Sequence, residues 1–135
     1  MNRKYDVIIV GGGPAGIFAA LELVQTSPLK VLLIEKGKDI SDRECPSRDR
    51  GSNCVSCPPC NLVCGLGGAG AFSDGKLTLT SNVGGHLKEY VGEKASELLI
   101  KYVDEQYVRF GASDKLYGTG SEVAKLATGN WKLSC

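Results

Sequence analysis

YDVIIVGGGPAGIFAALELVQTSPLKVLLIEKG, residues 5–37, places two short apolar runs on either side of a glycine cluster and a helical pattern. Tyr5 to Val10 shows no alternation of polar and apolar positions, which predicts a strand buried on both faces of a parallel sheet. It stops at Gly11, Gly12 and Gly13. Pro14 stands where a first-turn proline is tolerated, and Ile17, Ala20, Leu21 and Val24 recur at helical spacing as far as Gln25. Thr26, Ser27 and Pro28 end that helix. Val31 to Glu35 repeats the buried-strand pattern and closes on one acidic residue, with Lys36 and Gly37 after it. The result is a strand, helix, strand unit, for which a right-handed crossover brings the C-terminal ends of both strands to one edge.

Gly11-Gly12-Gly13-Pro14-Ala15-Gly16 fits G-x-G-x-x-G, and it lies between a strand and a helix, the context that gives this short pattern its meaning. In such a turn Gly11 permits the tight bend, Gly13 lets the backbone approach a pyrophosphate, and Gly16 lets the helix pack on the strand. The anion would sit on the free N–H groups of the helix that begins near Pro14. Glu35, nineteen residues after Gly16, falls where a carboxylate accepts hydrogen bonds from an adenosine ribose, and Lys36 flanks it. The same carboxylate repels a 2′-phosphate, which disfavours NADP. The expected fold class is α/β: the N-terminal βαβ portion of a Rossmann-like FAD/NAD(P)-binding domain, incomplete at this length. The competing reading is a strand-to-helix turn in an α/β protein that binds no nucleotide.

From Lys38 to about Gly75 both periods vanish, and the segment holds Cys45, Cys54, Cys57, Cys60 and Cys64, five of the six cysteines. A long stretch without a period inside a compact domain points to a function or a ligand that holds it. Cys54, Cys57, Cys60 and Cys64 form C-x2-C-x2-C-x3-C, a spacing by which a loop wraps thiolates around an iron–sulfur cluster, and four thiolates suit zinc equally. Cys45 is an alternative fourth ligand. Gly65 follows the run where proline is usual, and the remaining reading is a set of reduced thiols packed under the glycine loop. That loop, GLGGAGAFSDGK from Gly65 to Lys76, is dense enough in glycine for backbone to approach a flat ligand, with Gly68, Ala69 and Gly70 as candidate contacts. Asp74 and Lys76 are its charged groups. Beyond it, Lys76 to Thr80 alternates like a strand. Leu87, Val91, Ala95, Leu98, Tyr102, Gln106 and Phe110 share a stripe that predicts one long helix over 86–110, ended by Gly111. Thr119 to Glu122 has capping-box spacing for a short helix to about Thr128, and Trp131 to Cys135 reads as the start of a strand.

At 135 residues the chain has room for one domain, and 42% hydrophobic residues suffice for an ordinary core. Sixteen Lys and Arg against fifteen Asp and Glu form no basic stripe, which argues against nucleic acid as a partner. No apolar run approaches the ~20 residues that span a bilayer. Asp6 and the glycine break exclude a signal-peptide core in the first twenty residues, so the expected location is the cytoplasm, where cysteines act as ligands or thiols more than as disulfides.

VIIVGGGPAGIFAA, the LIEKG that follows, and the cysteine run leading into GGAGAFSDGKLTLT resemble the bacterial family of uncharacterised FAD-dependent dehydrogenases, flavoproteins of the wider two-dinucleotide-binding class. The resemblance runs from about Tyr5 to Glu122. It implies that the ADP moiety of FAD lies on Gly11, Gly13, Gly16 and Glu35, and that the GGAGAFSDGK loop lies near the flavin. Family members are much longer, so the chain resembles their N-terminal part, without the later Gly-Asp flavin motif, the remaining strands or the substrate domain. What the resemblance implies is an FAD-binding oxidoreductase fragment, incomplete for catalysis, with no residue assigned as catalytic and a downstream complementing chain as a candidate partner. Two rivals remain: a metal-binding or electron-transfer module centred on the cysteine run, and an inactive truncation product.

Overall fold

The computed structural model describes residues 4–73 and 75–116. The chain divides after Lys76 into two compact units, Met1–Lys76 and Leu77–Cys135, a division that length alone did not signal.

In the first unit, strand β1 (Val7–Val10), helix α1 (Pro14–Thr26) and strand β2 (Val31–Ile34) follow one another as the sequence periods require. The strands are parallel, in register from Val7 opposite Val31 to Val10 opposite Ile34. Their starts are tied by Asp6, whose N–H donates to the Lys30 carbonyl at 2.9 Å while its carboxylate accepts the Lys30 N–H at 2.8 Å. Helix α1 opens on extended Gly13 with Pro14 in its first turn. It closes where Ser27 turns back, its N–H and its hydroxyl both donating to the Leu23 carbonyl. After β2 come three short turns: a 3-10 turn at Ile40–Asp42, helix α2 (Pro46–Asp49), and a second 3-10 turn at Gly68–Phe72.

The strands differ from the sequence expectation in one respect, because they are not buried on both faces. Ile8 is 58% exposed and Val10 83%. Ile9 faces α1, where its Cγ2 lies beside Gly16, and the alternation of strand side chains then turns Ile8 and Val10 to the side that α1 does not cover. Among the described residues no hydrophobic side chain is fully buried, so the ordinary core that composition permits is not assembled.

In the second unit, Leu77 to Thr80 forms no strand, since no neighbouring strand supplies a ladder for it among the described residues. The single helix expected over 86–110 is two, α3 (Leu87–Val91) and α4 (Glu93–Arg109). Gly92 separates them with φ +81° and ψ +157°, a conformation that only glycine adopts easily. The hydrogen bonds still run through the break: the Gly92 N–H donates to the Lys88 carbonyl and the Ser96 N–H to the Gly92 carbonyl. The predicted stripe is kept only in part: Tyr102 and Gln106 are half-buried, whereas Leu98 is 61% and Phe110 68% exposed. The buried side of α4 runs instead through Ser96, and Leu99, Ile100 and Val103 line an apolar hollow with Leu77 and Leu87. Gly111 ends α4 as expected, at φ +99°. The short helix and strand expected over 119–135 lie outside the described residues.

Candidate dinucleotide site

The glycine turn and the acid meet at one edge of the sheet. The Gly11 N–H donates to the Ile34 carbonyl at 2.8 Å, which extends the pairing of the strands one step into the turn. Next to it, the Gly12 N–H donates to Glu35 Oε2 at 2.6 Å, and the Gly37 N–H donates to Glu35 Oε1 at 2.8 Å. These two backbone donors, Gly12 first and Gly37 second, hold the Glu35 carboxyl below the usual carboxylate range. The acid is therefore ionised and oriented at neutral pH. Lys36 beside it is exposed and adds a smaller attraction.

The glycines of the turn do not all meet the same surroundings. Gly11 has φ +110°, open to glycine and costly to others. A Cβ on Gly12 would lie 3.0 Å from both Glu35 Cβ and Leu66 Cδ1, so the residue is walled in. A Cβ on Gly16 would come 2.0 Å from the Gly11 carbonyl oxygen, so the first turn of α1 leans directly on the end of β1. Gly13 shares with Gly11 the opposite case: a Cβ on either would meet nothing within 4 Å, and of the two only Gly13 has an ordinary φ. The turn is thus open at the glycine where the backbone would approach a pyrophosphate. Helix α1 has no side-chain cap and no acidic residue in its first turn, so its leading N–H groups keep their affinity for an anion. The residues present fit a dinucleotide pyrophosphate.

The glycine loop closes over this turn. The Gly67 N–H donates to the Gly12 carbonyl at 2.7 Å. The Cβ position of Gly68 is 3.6 Å from Pro14 Cδ and 3.7 Å from Gly13 Cα, and that of Gly70 is 4.0 Å from Pro14 Cγ. Gly68 and Gly70 are thus gathered beside Pro14, with Ala69 exposed between them. Asp74 lies outside the described residues, and Lys76 is exposed. Sequence reasoning did not reach the crossing that brings the loop here. A Cβ on Gly37 would lie 2.5 Å from Gly65 Cα, and one on Gly65 would lie 2.5 Å from the Lys38 carbonyl, so the two backbones pass with no room for a side chain. Nor did it reach Arg43, which is 5% exposed with its guanidinium on the Leu66 and Gly68 carbonyls. The only signals were the lone Gly37 and Gly65 at the start of the glycine loop; an arginine in a polar loop reads as a surface residue.

The cysteines are not gathered. Among the described residues, which include Cys45, Cys54, Cys57, Cys60 and Cys64, no three His, Cys, Asp or Glu side chains are placed to hold a metal ion, and all five thiols are free. The Cys54 sulfur accepts the Ser56 N–H at 3.4 Å, and Cys60 and Cys64 stand at the two ends of one helical turn. As arranged, these residues do not fit the cluster or the zinc that their spacing suggested.

Strand, helix start and oriented acid form a βαβ unit of the kind that suits a dinucleotide. Residues 5–51 match the family of pyridine nucleotide-disulphide oxidoreductases, and the resemblance to FAD/NAD(P)-binding oxidoreductases holds over this segment. The chain is 47% identical over 79 residues to an uncharacterized protein of Clostridium beijerinckii, an alignment covering 56% of this chain and 14% of that protein. It is 50% identical over 42 residues to the digeranylgeranylglycerophospholipid reductase of Methanosarcina mazei, covering 31% of this chain and 10% of the reductase. The alignments thus span no more than 14% of the length of either curated relative. No solved structure matches the chain. Among the described residues no helix is long and apolar enough to cross a membrane.

Proposed function

We propose that this chain is the ADP-binding end of an FAD-dependent dehydrogenase, with Gly11 to Gly16 receiving the pyrophosphate and Glu35 the adenosine ribose. The observation that carries the reading is the 2.6 Å bond from the Gly12 N–H to Glu35, made in a turn whose Gly13 borders open space. An acid fixed at that distance from the helix start is placed to meet a ribose while its neighbour meets a phosphate. FAD is preferred to NAD because the distinctive GGAGAFSDGK loop resembles that of FAD-dependent dehydrogenases; the turn by itself serves both. When bound, FAD supplies the redox chemistry at its flavin. The protein's share is orientation: backbone N–H groups on the pyrophosphate, Glu35 on the ribose, and Gly68 to Gly70 as a second wall. Five free thiols among the described residues suit a cytoplasmic setting. Catalysis belongs to the longer protein or to a complementing chain that contributes the flavin and substrate surfaces.

The test is a titration of the chain with FAD and with NAD, followed by flavin fluorescence and by calorimetry. Gly13→Val is the informative variant, because Gly13 has an ordinary φ of −75° and a Cβ there meets nothing within 4 Å, and circular dichroism of the variant checks that the fold is kept. The added side chain fills the ligand's place, and affinity should fall by more than about tenfold. Wild-type affinity in the valine variant would refute the site.

A further inference from the structure

We propose that Arg43 is a positioning residue of this site: its guanidinium locks the loop from Gly65 to Phe72 into the wall that faces the start of α1. The inference rests on the dinucleotide reading above and names the residue that prepares the site for its ligand.

The loop cannot set its own shape. Gly65, Gly67, Gly68 and Gly70 carry no side chain to pack, and Gly65, Gly67 and Gly68 all have positive φ, so the unrestrained segment has more conformational freedom than a segment without glycine. Arg43 supplies the restraint. Its Nη1 donates to the Gly68 carbonyl at 3.1 Å, and its Nη2 donates to the Leu66 carbonyl at 2.9 Å and to the Gly68 carbonyl at 3.2 Å. The planar fork thus joins two carbonyls of one loop, and its carbon centre stands 4.7 Å from the centroid of the Phe72 ring, farther along the same loop. The stem belongs to the arrangement as well: a Cβ on Gly65 would lie 2.6 Å from Arg43 Cδ, so the loop begins in contact with the side chain that later clamps it.

From the clamp to the turn is a short path. Gly67 and Gly68, the residues around the clamped carbonyls, are the same ones that meet Gly12, Gly13 and Pro14. Arg43 itself is set by the 3-10 turn after β2, through its N–H on the Ile40 carbonyl. Strand β2 therefore places Glu35 at its end and, eight residues on, the arginine that fixes the opposite wall. Burying a guanidinium to 5% exposure is costly unless hydrogen bonds offset it, and Nε has no partner among the described residues. Its positive charge adds to that of the helix start, and both favour an anionic ligand. A lysine offers a point charge that cannot bridge two carbonyls and stack at once.

The experiment uses the full chain as wild type, Arg43→Met, Arg43→Lys and, as a control at an exposed arginine, Arg48→Ala. Amide hydrogen exchange and FAD titration are read on each. In Arg43→Met the Gly67 and Gly68 amides should exchange at least about tenfold faster while Ile9 and Leu33 keep their protection, and the FAD dissociation constant should rise about tenfold. Arg43→Lys should recover part of both effects, and Arg48→Ala should change neither. FAD affinity within about twofold of wild type in Arg43→Met overturns the proposal, whether or not the loop loosens. If Arg43→Met does not fold, Arg43→Lys decides alone, by the same affinity criterion. A wild-type chain that binds no dinucleotide is a failure of the functional reading, seen before any variant is compared; loop exchange in the variants then still reports whether Arg43 holds the wall.

Discussion

Both oxygens of Glu35 are engaged by backbone donors, one by the Gly12 N–H and one by the Gly37 N–H. The acid is in this sense a structural bolt between the glycine turn and the end of β2, and its ribose role uses the lone pairs that remain. Because its folded pKa is depressed, the carboxylate contributes stability that is full above the pKa of the unfolded chain and is lost as pH falls through the lower folded value. Glu35→Gln removes that dependence and turns an amide NH2 toward one of the two backbone donors, leaving two donors face to face. The variant should be less stable at neutral pH, and the gap to wild type should narrow as the solution is acidified toward about pH 3. Thermal unfolding across that range measures it. Parallel curves for the two proteins would mean that the two hydrogen bonds contribute nothing.

Helix α4 shows how one residue can override a strong period. Apolar positions from Leu87 to Phe110 recur as if on a single helix, yet Gly92 interrupts them in a conformation closed to other residues. The break lets α3 turn away so that Leu87 joins Leu77, Leu99, Ile100 and Val103 around one hollow, a grouping that a straight helix does not make. Gly92→Ala should therefore cost about 1–3 kcal/mol, the range for a side chain in this backbone region. Urea unfolding followed by circular dichroism checks it. An unchanged midpoint would show that the kink is a soft preference of the chain and is not held by the packing of this unit.

For the whole molecule, the dominant physical fact is apolar surface left uncovered. Ile8, Val10 and Ile34, at 58, 83 and 45% exposure, lie on the sheet face away from α1, and the two strands leave both outer edges without a neighbour among the described residues. A face of this kind ordinarily meets a further layer. The chain by itself should bind an apolar dye such as ANS while retaining its secondary structure. Ile8→Thr with Val10→Thr should reduce that binding and change stability by less than about 1 kcal/mol, because the side chains replaced pack against little. Dye fluorescence that does not respond to the pair would place the apolar surface elsewhere in the molecule.

Local sequence determined β1, α1, β2 and the turn between them, since strand and helix periods, proline placement and glycine φ preference act over a few residues. It determined the meeting of Gly12 and Glu35 as well, because a parallel βαβ unit carries the C-terminal ends of both strands to one edge. Tertiary structure decided the rest of the site. Which carbonyls the Arg43 fork meets, and that Gly37 must lack a side chain to let Gly65 pass, depend on residues 23 to 28 positions apart, and no period in the intervening loop encodes that return. The cysteine spacing was legible but its geometry was not: a pattern names the ligands a loop can offer, whereas their convergence is set by the path of a backbone held at Gly37, Arg43 and Gly67, and on that path no three of the described thiols come together as metal ligands. The open face of the sheet was hidden for the same reason. An apolar strand announces that it can be buried on both sides, but only the arrangement of other elements decides whether anything is there to bury it.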